Sequence, residues 1–536
     1  MVLPAILNPL VEGAPAAVMT RIALDWISDG TPLDEPFDEV AEDQYTRELT
    51  RTHFVPVLLD GASGHRPSPR AAFLRRELPL VAWLSAFYRK LNRLGLALPE
   101  AIVRRTAARA RPLIVARGGL LPEPVAGPAV RIRDGNVLTG VEHRIAPLRT
   151  TASAGLPGLA LAVSEPVSGS ILELILAEDA YCQERALVGR VEVRPGQLGV
   201  RDRNFGGRTP VFRIARRGAS FLVRWHGATR PFVPAGRLRA RGRCATGEAF
   251  AQPIDVSEGA GGIRRLRRIV LRRDEPTRDG ETEIVRVTNL PAPVTAPQCG
   301  EAYRDRGRIE GHYQALTDLG PCEGPGLGYP RAALFAFSRS AVAGKARAVL
   351  RGDLRVAQGP EVAAEVSDFA LGDEVAEVYP GMMMAAPPAR WPDLSRSRAT
   401  TVPKRLNELA ERVPGHRMSR CRRGPKEPRP RRSSGKRIPH VSNKKLLDRG
   451  AGRSRPGTPR ANPHDLNDLS RAPFQVHGGA CPTLPPAMAD PATSRPPGPT
   501  PSARHHASRH VAPSTRIRFS PFKPMTTWMM PPHSTS

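Results

Sequence analysis

Negative charge is what this 536-residue chain has least of: 51 Asp and Glu stand against 80 Lys and Arg, a formal net charge of +29. With so large a surplus of cations, a polyanion is the default partner, either nucleic acid or an anionic membrane surface. Long apolar runs are also missing. The stretch LPGLALAV is broken by Pro157 and followed by Glu165, and no uninterrupted run approaches the eighteen or so residues that span a bilayer. Cysteine is sparse and scattered, at 182, 244, 299, 322, 421 and 481, with no C-x-x-C pair. Neither a zinc module nor a disulfide framework follows from that spacing, and a reducing cytoplasm fits best. The apolar start, MVLPAILNPLVEG, has no basic leader and does not read as a signal peptide.

What is present divides into segments. Residues 1–35 are punctuated by Pro and Gly and read as a loosely ordered lead-in. From 36 to 120, apolar residues recur at three- and four-residue steps, which predicts a helical N-terminal domain. Ser68-Pro69 and Leu98-Pro99 are its candidate helix starts, since proline suits the first turn. The texture changes over 121–226. Val130 and Ile132 alternate with Arg131 and Arg133 before Asp134-Gly135, a strand running into a turn. LPGLALAVSEP reads as a buried strand, EDAYCQERALVGRVEV as helix and QLGVRDRNF as strand. TPVFRIARRG and SFLVRWH read as helix and then strand. Strands alternating with helices predict an α/β layer. Residues 227–295 break the rhythm with short strands and the hairpin signal Asp279-Gly280, a β-rich insertion. Helix resumes over 296–370. Residues 371–447 form a helical and basic region; from 395 on it carries 17 Lys or Arg against three Glu. The 448–536 tail is rich in Pro, Ser, Arg and His, a composition that predicts disorder.

Phosphodiester chemistry on a polyanion commonly relies on divalent cations held by a few carboxylates. Asp134 and Asp202 close two strand-like segments. Glu310 lies in YRDRGRIEGHYQALTD, where at about 100° per residue Tyr303, Arg306, Glu310 and Thr317 share one helix face. Asp60, in VLLDGASGH, competes for the first position but sits in the helical region.

Three blocks, VRIRDGNVLTGVEHRIAPLR, LGVRDRNFGG with FRIARRGASFLVRWH, and YRDRGRIEGHYQALTD, resemble the acidic motifs of DDE transposases of the insertion-sequence-four (IS-four) family. The resemblance spans about 36–447. It implies an RNase H-like catalytic core, 121–226 and 296–370, interrupted by the β insertion at 227–295. It implies that the helical domain binds DNA, and that Asp134, Asp202 and Glu310 are the catalytic ligands of two Mg²⁺, with Mn²⁺ able to substitute. Tyr303 and Arg306 become contacts to DNA phosphate. The implied activity is cut-and-paste transposition by a homodimer acting on terminal inverted repeats and target double-stranded DNA, in the bacterial nucleoid and away from membrane. Two positions depart from the pattern: Thr317 stands where the family has lysine, and Gly307 where it usually has tryptophan. The rival expectation is a catalytically decayed transposase remnant that only binds DNA. A third is an RNase H-like nuclease.

Further candidate DNA contacts are Trp225, which could stack on an extruded base, and the arginines of GIRRLRRIVLRR, Arg267 and Arg268 among them. Arg422 and Arg423 of the basic run complete the set, as a sequence-neutral phosphate clamp.

Overall fold

The computed structural model describes residues 3, 5–28, 84–138, 158–178, 184–225, 232–259, 262–277, 280–319, 329–387, 391 and 401–420. Asp60, Arg422, Arg423, the 448–536 tail and all of 36–83 lie outside the described residues.

In chain order the helices are α1 (Asn8–Gly13), α2 (Pro15–Ser28), α3 (Leu84–Arg93), α4 (Ala97–Val115), α5 (Glu184–Leu187), α6 (Arg208–Arg216), α7 (Ala296–Arg304), α8 (Arg308–Leu319), α9 (Pro330–Gln358), α10 (Pro360–Glu365), α11 (Asp368–Ala385) and α12 (Thr401–Ala410). The strands are β1 (Ala129–Val137), β2 (Leu159–Glu165), β3 (Ser170–Ala177), β4 (Gln197–Arg201), β5 (Ser220–Arg224), β6 (Val233–Pro234), β7 (Arg239–Cys244), β8 (Gly247–Gly259), β9 (Gly262–Arg273) and β10 (Glu283–Thr288). The protein is mixed α/β. All the described strands join one sheet in the order β3-β2-β1-β4-β5-β10-β9-β8-β6, with β7 on β8.

The sheet changes character along that order. β3, β2 and β1 form an antiparallel meander, whereas β1, β4 and β5 run parallel. β10 then pairs antiparallel with β5 and carries the sheet into β9 and β8. Strands β6–β10 are therefore an extension of the central sheet, its edge continued by main-chain hydrogen bonds. Gly280, at φ +83, makes the β9–β10 turn, with Thr277 and Glu281 bonded across it.

β2 is buried along its whole length, as its run of Leu, Ala and Val predicts for a strand covered on both faces. Helix α4 lies on β3 and on α9, the long central helix, whose middle is almost entirely buried. The lead-in reading of residues 1–35 is corrected here. Ala16, Ala17, Val18, Met19, Ile22 and Ala23 of α2 are fully buried in the main core. The Glu374 carboxylate accepts hydrogen bonds from the N–H groups of Ala16 and Ala17, at 2.9 and 3.3 Å, which caps the exposed donors of that helix start. Pro15 is a first-turn helix residue, not a breaker.

Candidate active site

The two strand aspartates converge because of register. β1 and β4 run parallel, and their last paired residues are Arg133 and Arg201. Asp134 and Asp202 come next on each strand, side by side where β4 ends. Asp134 does not end β1, however, and Asp134-Gly135 is not a turn. β1 stays paired with β2 as far as Val137 opposite Leu159, so the strand continues after β4 has left it.

The helix over YRDRGRIEGHYQALTD is not continuous. Thr295 starts α7 with a capping box, its hydroxyl accepting from Gln298 N and its own N–H bonding Gln298 Oε1. A 3₁₀ turn, Asp305–Gly307, then separates α7 from α8. This break removes the single face expected for 303, 306, 310 and 317. It places Tyr303 and Arg306 on the aspartates: the Tyr303 hydroxyl donates to Asp202 Oδ1 at 3.4 Å, and Arg306 Nη2 donates to Asp134 Oδ2 at 2.8 Å. Arg306 Nη1 also reaches Glu310 Oε1 at 3.4 Å. Tyr313 of α8 donates to the Asp134 carbonyl at 2.6 Å, fixing the helix to the strand.

Burial is the largest influence on Asp134 and raises its pKa; Asp202 nearby raises it further, while Arg306 and the Gly135 N–H oppose. Arg306 is held charged by the same neighbours, its pKa raised by Asp134 and Asp202 against the effect of burial. Burial, then Asp202, also raises the Tyr303 hydroxyl, which stays protonated. The Arg286 guanidinium lies over the Tyr303 ring, 4.7 Å from its centroid.

Glu310 does not join the aspartates. Its side chain is 67 % exposed and touches the site only through Arg306. A different carboxylate does approach. The Glu184 side chain lies against Gly135, where a Cβ would stand 2.5 Å from its Cγ and Cδ. Burial, then Asp134 and Asp202, raise the Glu184 pKa. No spacing rule marks Glu184 in the sequence; only the bare backbone at Gly135 admits it.

Hard carboxylate oxygens on Asp134 and Asp202 suit a magnesium ion chemically. Arg306 stands against Asp134 in this conformation, and among the described residues no group of three acidic, His or Cys side chains is arranged to hold a metal.

Several proposed DNA contacts are engaged within the protein. Trp225 is buried among Phe221, Val223 and Phe212, so its ring offers no stacking face. Arg267 Nη1 donates to the carbonyls of Leu290, Pro291 and Val294. Arg268 bonds Gln252 Oε1 at 3.0 Å and lies over Phe232. Consecutive on β9, the two point to opposite faces of the sheet, and each finds its partners within the protein. Thr317 is exposed, its hydroxyl donating to the Tyr313 carbonyl one turn back. At Gly307 a Cβ would meet open space.

No protein-family model and no curated protein matches the chain. Among solved structures it is similar to a cryo-EM structure of a piggyBac transposase synaptic complex with hairpin DNA, at 10% identity and a TM-score of 0.35, covering 73% of this chain and 85% of that one. Among the described residues no helix is long and apolar enough to cross a membrane.

Proposed function

We propose that the chain is a DDE transposase of the insertion-sequence-four kind, built on an RNase H-like core and acting as a homodimer on double-stranded DNA. The observation that carries this reading is the pair Asp134 and Asp202, side by side where parallel β1 and β4 part, within the order β3-β2-β1-β4-β5. A net charge of +29 supports DNA as the polyanion. Asp134 and Asp202 would hold magnesium, with Glu310 as third ligand, and the metal when bound would supply activation of water and stabilisation of the leaving oxygen. Arg306 is the residue that must move. A DNA phosphate offers its guanidinium the same two-pronged partner that a carboxylate does, so DNA arriving at the site competes with Asp134 for Arg306. Release of Arg306 frees Asp134 and Glu310 together, since one guanidinium holds both.

The test is cleavage of DNA carrying the ends of the chain's own element, with Mg²⁺. Asp134→Asn or Asp202→Asn alone should abolish it, and each almost as fully as both, because groups acting as one unit are non-additive. Asp60→Asn is the control and should cleave normally. The second reading, a decayed remnant, is favoured by Arg306 on Asp134 and by the absence of a cation at Thr317. It predicts salt-sensitive DNA binding with no cleavage by the wild type, and that result would overturn the enzyme assignment.

A further inference from the structure

The face of the sheet opposite the aspartates carries a feature that the proposed chemistry does not use. Arg133 and Arg201 immediately precede Asp134 and Asp202, so strand alternation sends their side chains to the other face. They are cross-strand partners in register, and each is only 1 % exposed. Five guanidinium nitrogens have no hydrogen-bond partner: Arg133 Nε and Nη1, and Arg201 Nε, Nη1 and Nη2. Two residues before Arg201 on the same face stands Gly199. A Cβ there would lie 2.7 Å from Arg133 Nη1 and 3.8 Å from Arg201 Nε. Both cations thus converge over one bare patch of backbone.

The charges acting on Arg201 are themselves arginines, Arg133 and Arg213. Arg133 has one carboxylate within reach, Glu173, which is also shared with Arg104 at 4.0 Å. Burial pulls the Arg133 pKa down to about 10, which still leaves it charged at neutral pH. Arg213, on α6, is half-buried, and its Nη1 donates to the Val188 carbonyl. It is a further cation that acts on both Arg133 and Arg201. Two buried, adjacent guanidinium groups with unfilled donors are a costly arrangement; an anion with several acceptor oxygens would pair both.

We propose that Arg133 and Arg201, over Gly199 and with Arg213 at the rim, form a binding site for a compact oxyanion of the phosphate class. The five free donors match the several acceptor oxygens of a tetrahedral anion, whereas chloride would satisfy only its immediate neighbours. Either inorganic phosphate or the terminal phosphate of a nucleotide has this chemistry. The site lies on the sheet face away from Asp134 and does not depend on DNA cleavage.

Phosphate added to the full chain at constant ionic strength, with chloride as the balancing salt, should raise the melting temperature saturably by about 5 °C. Equilibrium dialysis should find one phosphate per chain. Arg201→Leu and Arg133→Leu should each remove the phosphate-dependent rise. Where a leucine variant fails to fold, Arg201→Lys should weaken phosphate binding by dialysis at least tenfold, since an ammonium cannot replace the planar fork. A deoxynucleotide 5′-monophosphate in parallel tells the two sources apart: binding as tight as phosphate makes a nucleotide end the natural occupant, and no binding leaves the free ion. Either of two results would overturn the site: dialysis finding no bound phosphate, or Arg201→Leu raising the melting temperature while leaving the response to phosphate intact.

Discussion

The β insertion and the central core use the same residue type in opposite ways. In the insertion, arginines of β7 and β9 meet acidic partners on neighbouring segments. Arg265 faces Asp255 in register at 2.5 Å, Arg272 faces Glu283 at 2.8 Å, and Arg243 reaches Asp274 at 2.6 Å. These groups are largely exposed, so water screens them and each pair contributes little. In the core, Arg133 and Arg201 are nearly inaccessible and leave donors unfilled, while Lys345 is fully buried with a long contact to the Ala341 carbonyl at 3.4 Å. Charge placed on the insertion is close to neutral for stability; charge placed in the core is where stability and ligand dependence are decided.

The sharpest test of that contrast is pH, because the buried groups titrate far from their usual range. Asp353 on α9 is 3 % exposed, and burial pushes its pKa up to about 8 despite the opposing pull of Arg117. The unfolded chain releases this proton near pH 4 and the folded chain only near pH 8. Between those values the native state binds the extra proton. The stability that Asp353 contributes is therefore full below about pH 4 and is lost as pH rises, at about 1.4 kcal/mol per unit. Asp353→Asn should flatten this slope and stabilise the protein most at pH 8. Lys345 opposes it. Burial lowers its pKa to about 7, so its own contribution improves as pH rises above that value. Denaturant melts of wild type and Asp353→Asn across pH 5–8 check the sign; a wild-type slope unchanged by the substitution would refute it.

A middle case lies on the insertion itself. Arg267 is half-buried and ties down three carbonyls between residues 290 and 294, just before the cap that starts α7. Arg267→Ala should cost about 2 kcal/mol in urea melts, since charged hydrogen bonds to partly buried carbonyls are lost. DNA affinity should change little. A large loss of affinity without loss of stability would instead restore Arg267 as a phosphate contact.

The sequence made much of this frame readable, for reasons that are local. Alternation placed β1, period and flanking residues placed α6 and β5, and Asp279-Gly280 placed the β9–β10 turn. Asp134 and Asp202 could be brought together from the sequence because each follows an apolar alternating run, although only Asp202 lies at the end of its strand. What escaped was set by tertiary contact. Pro15 and the apolar residues around it look like a loose lead-in until α2 is seen buried against the core and capped by Glu374, more than 350 residues away. The 3₁₀ break at Asp305–Gly307 accompanies the bond between Arg306 and Asp134, a pairing 172 residues apart. Glu184 comes into range only through the missing side chain of Gly135.

The smallest expected effect tests the surface half of the comparison. Arg265 and Asp255 are directly opposite on β9 and β8, with two hydrogen bonds between guanidinium and carboxylate, at 2.5 and 3.0 Å. Their geometry is bidentate, and their pKa shifts run as expected for partners: the hydrogen bond from Arg265 lowers Asp255, and the one to Asp255 raises Arg265. Yet the Arg265 side chain is 65 % exposed, and solvent competes for both ends. A double-mutant cycle over Arg265→Ala and Asp255→Ala isolates their coupling, which should be the smallest of the effects predicted here and should shrink in high salt. If the coupling instead proves large and indifferent to salt, exposure does not separate the two regions, and the contrast between insertion and core would have to rest on the buried side alone.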